Sequence, residues 1–128
     1  MKSIERNIVS ILTKNGKKKV AFKIIETSIK ILLKKKLNPI KVFEQAIFNV
    51  TPSFEVKKYK RGNQFLFLPI VSSANRRQKL AIRWLINSAK LKKTEPFCIA
   101  LSNSVIDAAS QKGKAFNQKL SLYKQINL

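Results

Sequence analysis

Arg76-Arg77-Gln78-Lys79-Leu80-Ala81-Ile82-Arg83-Trp84-Leu85 reads as one helix with two unlike sides. At 100° per residue, Leu80, Ala81, Trp84, Leu85 and Ser88 share a face, while Arg76, Lys79, Arg83, Asn87 and Lys90 share the other. An apolar stripe backed by cations describes a helix that packs inward and leaves its charge in solvent. The pattern runs from about Asn75 to Lys92, and Trp84 is its largest core candidate.

Working outward, the same period recurs on both sides. Toward the C-terminus, Thr94 is a candidate N-cap with Pro96 in the first turn, and Phe97, Ala100, Leu101, Ser104, Val105 and Ala108 form the inner side of a helix that stops at Lys112-Gly113. A shorter basic helix covers about Lys114 to Ile126 and carries Lys119. Toward the N-terminus the period changes. Phe54–Lys60 and Gln64–Ile70 are rich in aromatic and branched residues around Arg61-Gly62-Asn63, which is a hairpin signal, and Pro69 restricts its strand to an edge. Upstream, Asn38-Pro39 is an N-cap and first-turn pair; Phe43, Ala46, Ile47 and Val50 are the inner face, and Thr51-Pro52 is the stop. A helix over about Lys17–Lys36 has Val20, Ala21, Ile24, Ile25, Ser28, Ile31 and Leu32 inward and Lys19, Lys23, Lys30 and Lys34 outward. The first helix, about Ser3–Lys14, has Ser3 as N-cap, Ile4, Ile8, Ile11 and Leu12 inward, and Asn15-Gly16 as its stop. The expected fold is mainly α: one domain over residues 1–128, a bundle of about six helices with a β-hairpin (54–70) protruding between the third and fourth. Ile24, Ile25, Phe43, Ile47, Leu80, Trp84, Leu85, Leu101 and Val105 are its expected core.

Charge decides the class of function. The 128 residues carry 27 Lys and Arg against 6 Asp and Glu, a net +21. Such an excess works against a compact monomer by self-repulsion, and a polyanion relieves it. Nucleic acid is the leading partner, because each neutralised phosphate releases counterions. Catalysis has nothing to work with. There is no His, and Glu5, Glu26, Glu44, Glu55, Glu95 and Asp107 are scattered one per element. The 3 glycines stand apart, so no phosphate-cradling loop exists. Cys98, between Phe97 and Ile99, reads as a buried, unreactive thiol. No cofactor, metal, disulfide, membrane span or signal peptide is expected.

The candidate RNA contacts are the outward cations: Lys17, Lys18, Lys19 and Lys23 at the start of the second helix, Arg76, Arg77, Lys79 and Arg83 on the fourth, and Lys114 and Lys119 near the end. The hairpin adds Lys57, Lys58, Lys60 and Arg61 around Gly62, with Tyr59 and Phe65 interleaved; such a ribbon suits a groove or stacked bases. Any single lysine reads as a solvated charge, and the hairpin charges also read as protection of a sheet edge. The set as a whole lacks acidic balance. A basic DNA-binding architectural protein is the alternative that charge alone allows. A membrane-surface protein fits less well, since that needs an unpartnered apolar helix face and these helices can cover one another.

The Arg76–Leu85 stretch resembles the small-subunit ribosomal protein S-seven family, in which a very similar Arg-Arg-Gln…Leu-Ala-Ile-Arg-Trp-Leu segment opens the fourth helix. Asn15-Gly16-Lys17-Lys18 with Val20-Ala21, the segment Pro39 to Pro52, Glu55-Val56, Gly62, Pro69, Asp107-Ala108-Ala109 and Lys112-Gly113 agree with the family in order and spacing. The chain departs from it at Asn63, where many members have a second glycine, and at Asn117-Gln118-Lys119, which replaces a more basic triplet. It also lacks most of the family's N-terminal extension, and Leu128 precedes the segment that often closes the family. The resemblance implies a helical bundle with an extended hairpin that binds the 3′ major (head) domain of small-subunit ribosomal RNA (rRNA) and helps assemble the head. Carried over by position, Lys17, Lys18, Arg76, Arg77 and Arg83 contact rRNA. Lys57, Lys58, Tyr59, Lys60, Arg61 and Gly62 lie on a hairpin near the exit-site transfer RNA (tRNA) and the messenger RNA (mRNA) path, with other head proteins as neighbours and no homo-oligomer. The 22 Lys, 15 Ile, 10 Asn and 8 Phe against 3 Gly follow A/T-rich codons. With the lean length and the lack of a presequence, that usage favours an organelle-encoded copy. A mitochondrial ribosome in the matrix is expected, with a plastid or the bacterial cytoplasm as alternatives.

Overall fold

The computed structural model describes residues 2–13 and 16–125, the side chains of residues 2–5 excepted. Its elements are α1 (Lys2–Leu12), α2 (Lys18–Lys34), α3 (Pro39–Val50), β1 (Glu55–Arg61), β2 (Gln64–Ile70), α4 (Ala74–Lys90), α5 (Phe97–Ala109) and α6 (Lys114–Lys124). This is the mainly helical bundle, with one hairpin between α3 and α4, that the periodicity predicts.

Two helix starts follow their caps. Asn38 accepts a hydrogen bond from the Lys41 backbone N–H, with Pro39 in the first position of α3. Ser73 accepts one from the Arg76 N–H, so α4 begins at Ala74, one residue earlier than expected. Three expected signals do something else. Ser3 lies inside α1, and its side chain is outside the described residues, as are those of Ile4, Lys14 and Asn15. Thr94 does not cap α5, which starts at Phe97 behind Pro96 with no side-chain cap.

Gly113 does not end α5 either. The chain turns at Gln111 (φ 59°), where the Gln111 and Lys112 amides return to the carbonyls of Ala108 and Asp107. The same double bond closes α2 at Lys36 (φ 60°), where the Lys36 and Leu37 amides reach Leu33 and Leu32. A left-handed Lys or Gln carries no sequence mark as clear as glycine, so both stops are missed by inspection.

α5 is the hub, packing against α2, α3, α4 and α6, and α4 also packs against α1. Ile25, Phe43, Ile47, Trp84, Leu85, Leu101 and Val105 are buried, as expected, whereas Ile24 and Leu80 pack against the core only half-buried. Val20 is 53% exposed, and Cys98 is half-buried rather than buried. The buried face of α4 is wider than its stripe, taking in Ile82, Ile86 and Ala89. A helix contacted on several sides buries more than one face, which single-helix periodicity does not report. Where α2 meets α5, Ser28 and Ser102 are both fully buried, and the Ser102 hydroxyl donates to the Cys98 carbonyl at 2.9 Å. Small side chains there let the two helices approach closely.

Polar ties fix α1 and α3. The buried Asn7 amide donates to Asn75 (3.2 Å) and Gln78 (2.8 Å) on α4. The Asn49 amide donates to the last carbonyls of α5, Ala108 and Ala109, both at 3.0 Å. Unmet helix-end carbonyls are costly when buried, so Asn49 acts as a cap supplied from another helix.

Candidate nucleic-acid interface

The outward cations of α2 stay outward. Lys17, Lys18, Lys19, Lys23, Lys30 and Lys34 are exposed, and Lys30 meets Glu26 one turn away at 3.6 Å. An exposed pair of this kind contributes little and leaves the helix face basic.

On α4 the side chains divide. Arg76, Lys79 and Arg83 line one open cavity of about 330 Å³ together with Glu55, Ser73, Asn75 and Leu80. The cavity lies at the helix N-terminus, where free backbone N–H groups and the helix dipole favour an anion. Glu55, the first residue of β1, brings a carboxylate to its edge. Its Oε2 accepts from Arg76 Nε at 2.8 Å, the Arg76 side chain remaining 71% exposed and that of Glu55 only 19%. The Ser72 hydroxyl beside it, helped by the Arg76 guanidinium, holds the Glu55 carboxyl below the usual carboxylate range against a smaller opposing effect of burial. Arg77 turns away from the cavity. Its Nη1 donates to the Ser53 carbonyl at 3.1 Å, so it ties α4 to the root of the hairpin.

The hairpin pairs antiparallel from Glu55↔Ile70 to Arg61↔Gln64, which leaves a two-residue turn, Gly62-Asn63, in place of the three-residue one expected. Of the two, only Gly62 has positive φ (64°), the pattern of a type II′ turn. That geometry needs glycine at the first turn position and not at the second, which accounts for Asn63. The register puts Lys57, Tyr59 and Arg61 on one face with Leu66 and Leu68, and Lys58 and Lys60 on the other with Phe65 and Phe67. Lys58 Nζ sits 3.9 Å from the Phe65 ring centre, and Lys57 Nζ lies 5.2 Å from that of Tyr59. All five basic and aromatic residues from Lys57 to Arg61 are exposed. At the root, Phe54 stacks on Tyr123 of α6 at 4.8 Å, and the Tyr123 hydroxyl accepts from the Ser53 N–H at 2.8 Å.

Lys119 and Lys114 part company. Lys119 Nζ donates to the Asn49 carbonyl at 3.0 Å beside the Phe116 and Tyr123 rings, so it seals the end of α3. Lys114 is exposed at the start of α6. Sequence reading missed Ser73, Asn75 and Glu55 as members of the α4 cavity. The serine–serine pair before Arg76-Arg77 was a usable cap signal, but nothing local linked Glu55 to residues 21 positions away. Among the described residues, no cluster of His, Cys, Asp and Glu could hold a metal ion, and no helix is long and apolar enough to cross a membrane.

Comparison with known proteins agrees with this architecture along the chain. The chain is 38% identical over 118 residues to the small ribosomal subunit protein uS7 of Campylobacter concisus, covering 91% of this chain and 76% of that one. It is 36% identical over 118 residues to uS7c of the alga Prototheca wickerhamii, with the same two coverages. It is also 32% identical over 117 residues to uS7 of Baumannia cicadellinicola, covering 91% of this chain and 75% of that one. The family model described as Ribosomal protein S7p/S5e matches residues 2–126, and the chain is therefore a member of that family of structural, non-catalytic ribosomal proteins.

Proposed function

We propose that the chain is a structural component of the small ribosomal subunit of a mitochondrion, where it binds the 3′ major domain of the small-subunit rRNA and helps build the subunit head. The observation that carries this reading is the basic surface itself: Lys17–Lys19 and Lys23 on α2 and the Arg76–Lys79–Arg83 cavity on α4 stand on a packed bundle of a ribosomal family with almost no acid to balance them. Lys114 adds an exposed cation at the start of α6, whereas Arg77 and Lys119 hold the hairpin root and the end of α3. The hairpin extends from that root as a basic ribbon with exposed rings. Lys57, Lys58, Tyr59, Lys60, Arg61 and Gly62 would then lie near exit-site tRNA and the mRNA path, among other head proteins. A/T-rich residue usage supports an organellar home, taken here as the mitochondrial matrix, and the relatives of bacterial and organellar type support a ribosomal location.

Binding to a transcript of the 3′ major domain, measured over a range of salt concentrations and against unrelated duplex DNA, tests the reading. Affinity should fall steeply with salt, with log K decreasing, for each tenfold rise in salt, by about 0.9 per phosphate neutralised in a duplex, and should favour the transcript. A flat response, or equal affinity for the DNA, would reject it in favour of a DNA-binding architectural role. Finding the protein in purified mitochondrial small subunits decides the location.

A further inference from the structure

A second cavity, of about 220 Å³, lies at the far end of α4 from the cationic one, between α4, α5 and α6. Ser88, Lys92, Ser104, Asp107, Lys112, Gly113, Lys114 and Ala115 line it. Ser88 is twelve residues beyond Arg76, or about 18 Å along the helix axis, so no single phosphate group fills both cavities.

Three features of this cavity point the same way. The first turn of α6 borders it, and that helix has no side-chain cap: Gly113 (φ 93°) precedes it and offers no side chain to meet its first amides. Ser104 lines the cavity but is only 5% exposed, and its buried hydroxyl oxygen has no hydrogen-bond partner, so it reaches a ligand by turning about the Cα–Cβ bond. A buried hydroxyl left unmet costs stability that a ligand oxygen would return. Lys92, Lys112 and Lys114 bring three ammonium groups to the rim. Asp107 offsets one of them, loosely, with its Oδ2 4.0 Å from Lys92 Nζ. Uncapped helix amides, an unmet hydroxyl and a surplus of cations all complement an oxyanion with several acceptor oxygens.

We propose that this cavity binds a phosphate group, held by the first-turn amides of α6, the Ser104 hydroxyl and the ammonium groups of Lys92 and Lys114. The phosphate comes either from a bound RNA backbone or from free inorganic phosphate. Glycine at 113 fits this role, because a Cβ there would lie 3.2 Å from the Asp107 Cβ and crowd the cavity wall. The site does not depend on the rRNA reading, since free phosphate alone can fill it.

Amide NMR of the full chain tests the proposal at fixed ionic strength, with inorganic phosphate titrated against chloride in one arm and the 3′ major domain transcript in the other. The amides of Lys114, Ala115 and Phe116 should shift saturably. Ser104→Ala should weaken phosphate binding about tenfold, the loss of one hydrogen bond to a charged group. Its thermal stability without ligand should hold or rise, because it deletes an unmet buried hydroxyl. Asp107→Asn should bind more tightly. If phosphate shifts these amides and the transcript does not, the site stands and its ligand is the free anion. If the transcript shifts them and phosphate does not, the site stands and its ligand is the RNA backbone. Binding unchanged in Ser104→Ala, or weak shifts spread evenly over all lysines in both arms, would overturn the site. A transcript that fails to bind anywhere rejects the function proposed above and leaves the phosphate arm to decide this one.

Discussion

Arg83 and Trp84 are sequence neighbours with opposite tasks. Trp84 is 7% exposed within the core, and Arg83 stands in solvent at the rim of the α4 cavity. Trp84→Ala should cost about 3–5 kcal/mol, the usual range for a buried aromatic. Arg83→Ala should leave stability within about 0.5 kcal/mol, as surface changes do, while lowering affinity for the rRNA transcript and flattening its salt dependence. Thermal melts and RNA titrations of both variants check this, and an unstable Arg83→Ala with an unaffected Trp84→Ala would reverse the assignment of faces. Asn49 is a third case, in which a polar side chain is buried to serve another helix. Asn49→Ala strands the Ala109 carbonyl and leaves that of Ala108 with only its bond from the Gln111 N–H, and should cost about 1–3 kcal/mol, the penalty for unmet buried polar groups. Denaturant unfolding measures it, and a cost near zero would mean that water replaces the amide without loss.

At the scale of elements, the hairpin is held at its root and free along its length. Glu55–Arg76, Ser53–Arg77 and the Tyr123 contacts lie at the base, and the residues from Lys57 to Phe65 are exposed. Excising Tyr59 to Phe65 and rejoining the strands with a short turn should leave the bundle's melting transition nearly unchanged. On the function proposed here, the shortened protein still enters small subunits, and translation suffers through exit-site occupancy or reading frame. Failure to enter subunits would make the hairpin an assembly anchor instead.

The root also carries a pH dependence. Folding lowers the Glu55 carboxyl below its ordinary value of 4.5, so the native state binds this proton less readily than the unfolded chain does. The associated stability is fully present above the ordinary value and is lost as pH falls through the lowered one. Wild type should therefore exceed Glu55→Gln in stability at neutral pH, and the two should converge in acid. Melts over pH 7 to 3 read this directly, and a gap that persists at the acid end would mean that the root is held by shape rather than charge.

For the molecule as a whole, the net +21 sets two responses to salt that run in opposite directions. Screening relieves self-repulsion, so the isolated protein should melt higher as ionic strength rises. The same screening weakens attraction to RNA. Melting temperature and RNA affinity measured on one salt series should cross, with the first rising and the second falling. A melting temperature that falls with salt would show that short-range ion pairs outweigh the global repulsion. The ion pairs among the described residues include Lys30–Glu26, Arg76–Glu55 and Lys92–Asp107, and with 6 acids against 27 cations repulsion is the larger effect.

The sequence by itself determined the class of fold, the order of elements, the position of the hairpin and most of the core. Each depends on a local period of 3.6 or 2 and on caps such as Asn38-Pro39 that act within a few residues. It also determined that the surface seeks a polyanion, because net charge needs no coordinates. Only the tertiary structure decided which cations remain available. Arg77 and Lys119 belong to the same basic pattern as Arg76 and Lys114, yet each gives a donor to a carbonyl of the fold, that of Ser53 and that of Asn49. The structure also decided that Glu55 enters the α4 cavity and that Ser104, its hydroxyl unpartnered, lines another one. It set the width of the buried face of α4. These depend on which helices meet across long stretches of chain, and a pattern read along one helix contains no information about its neighbours.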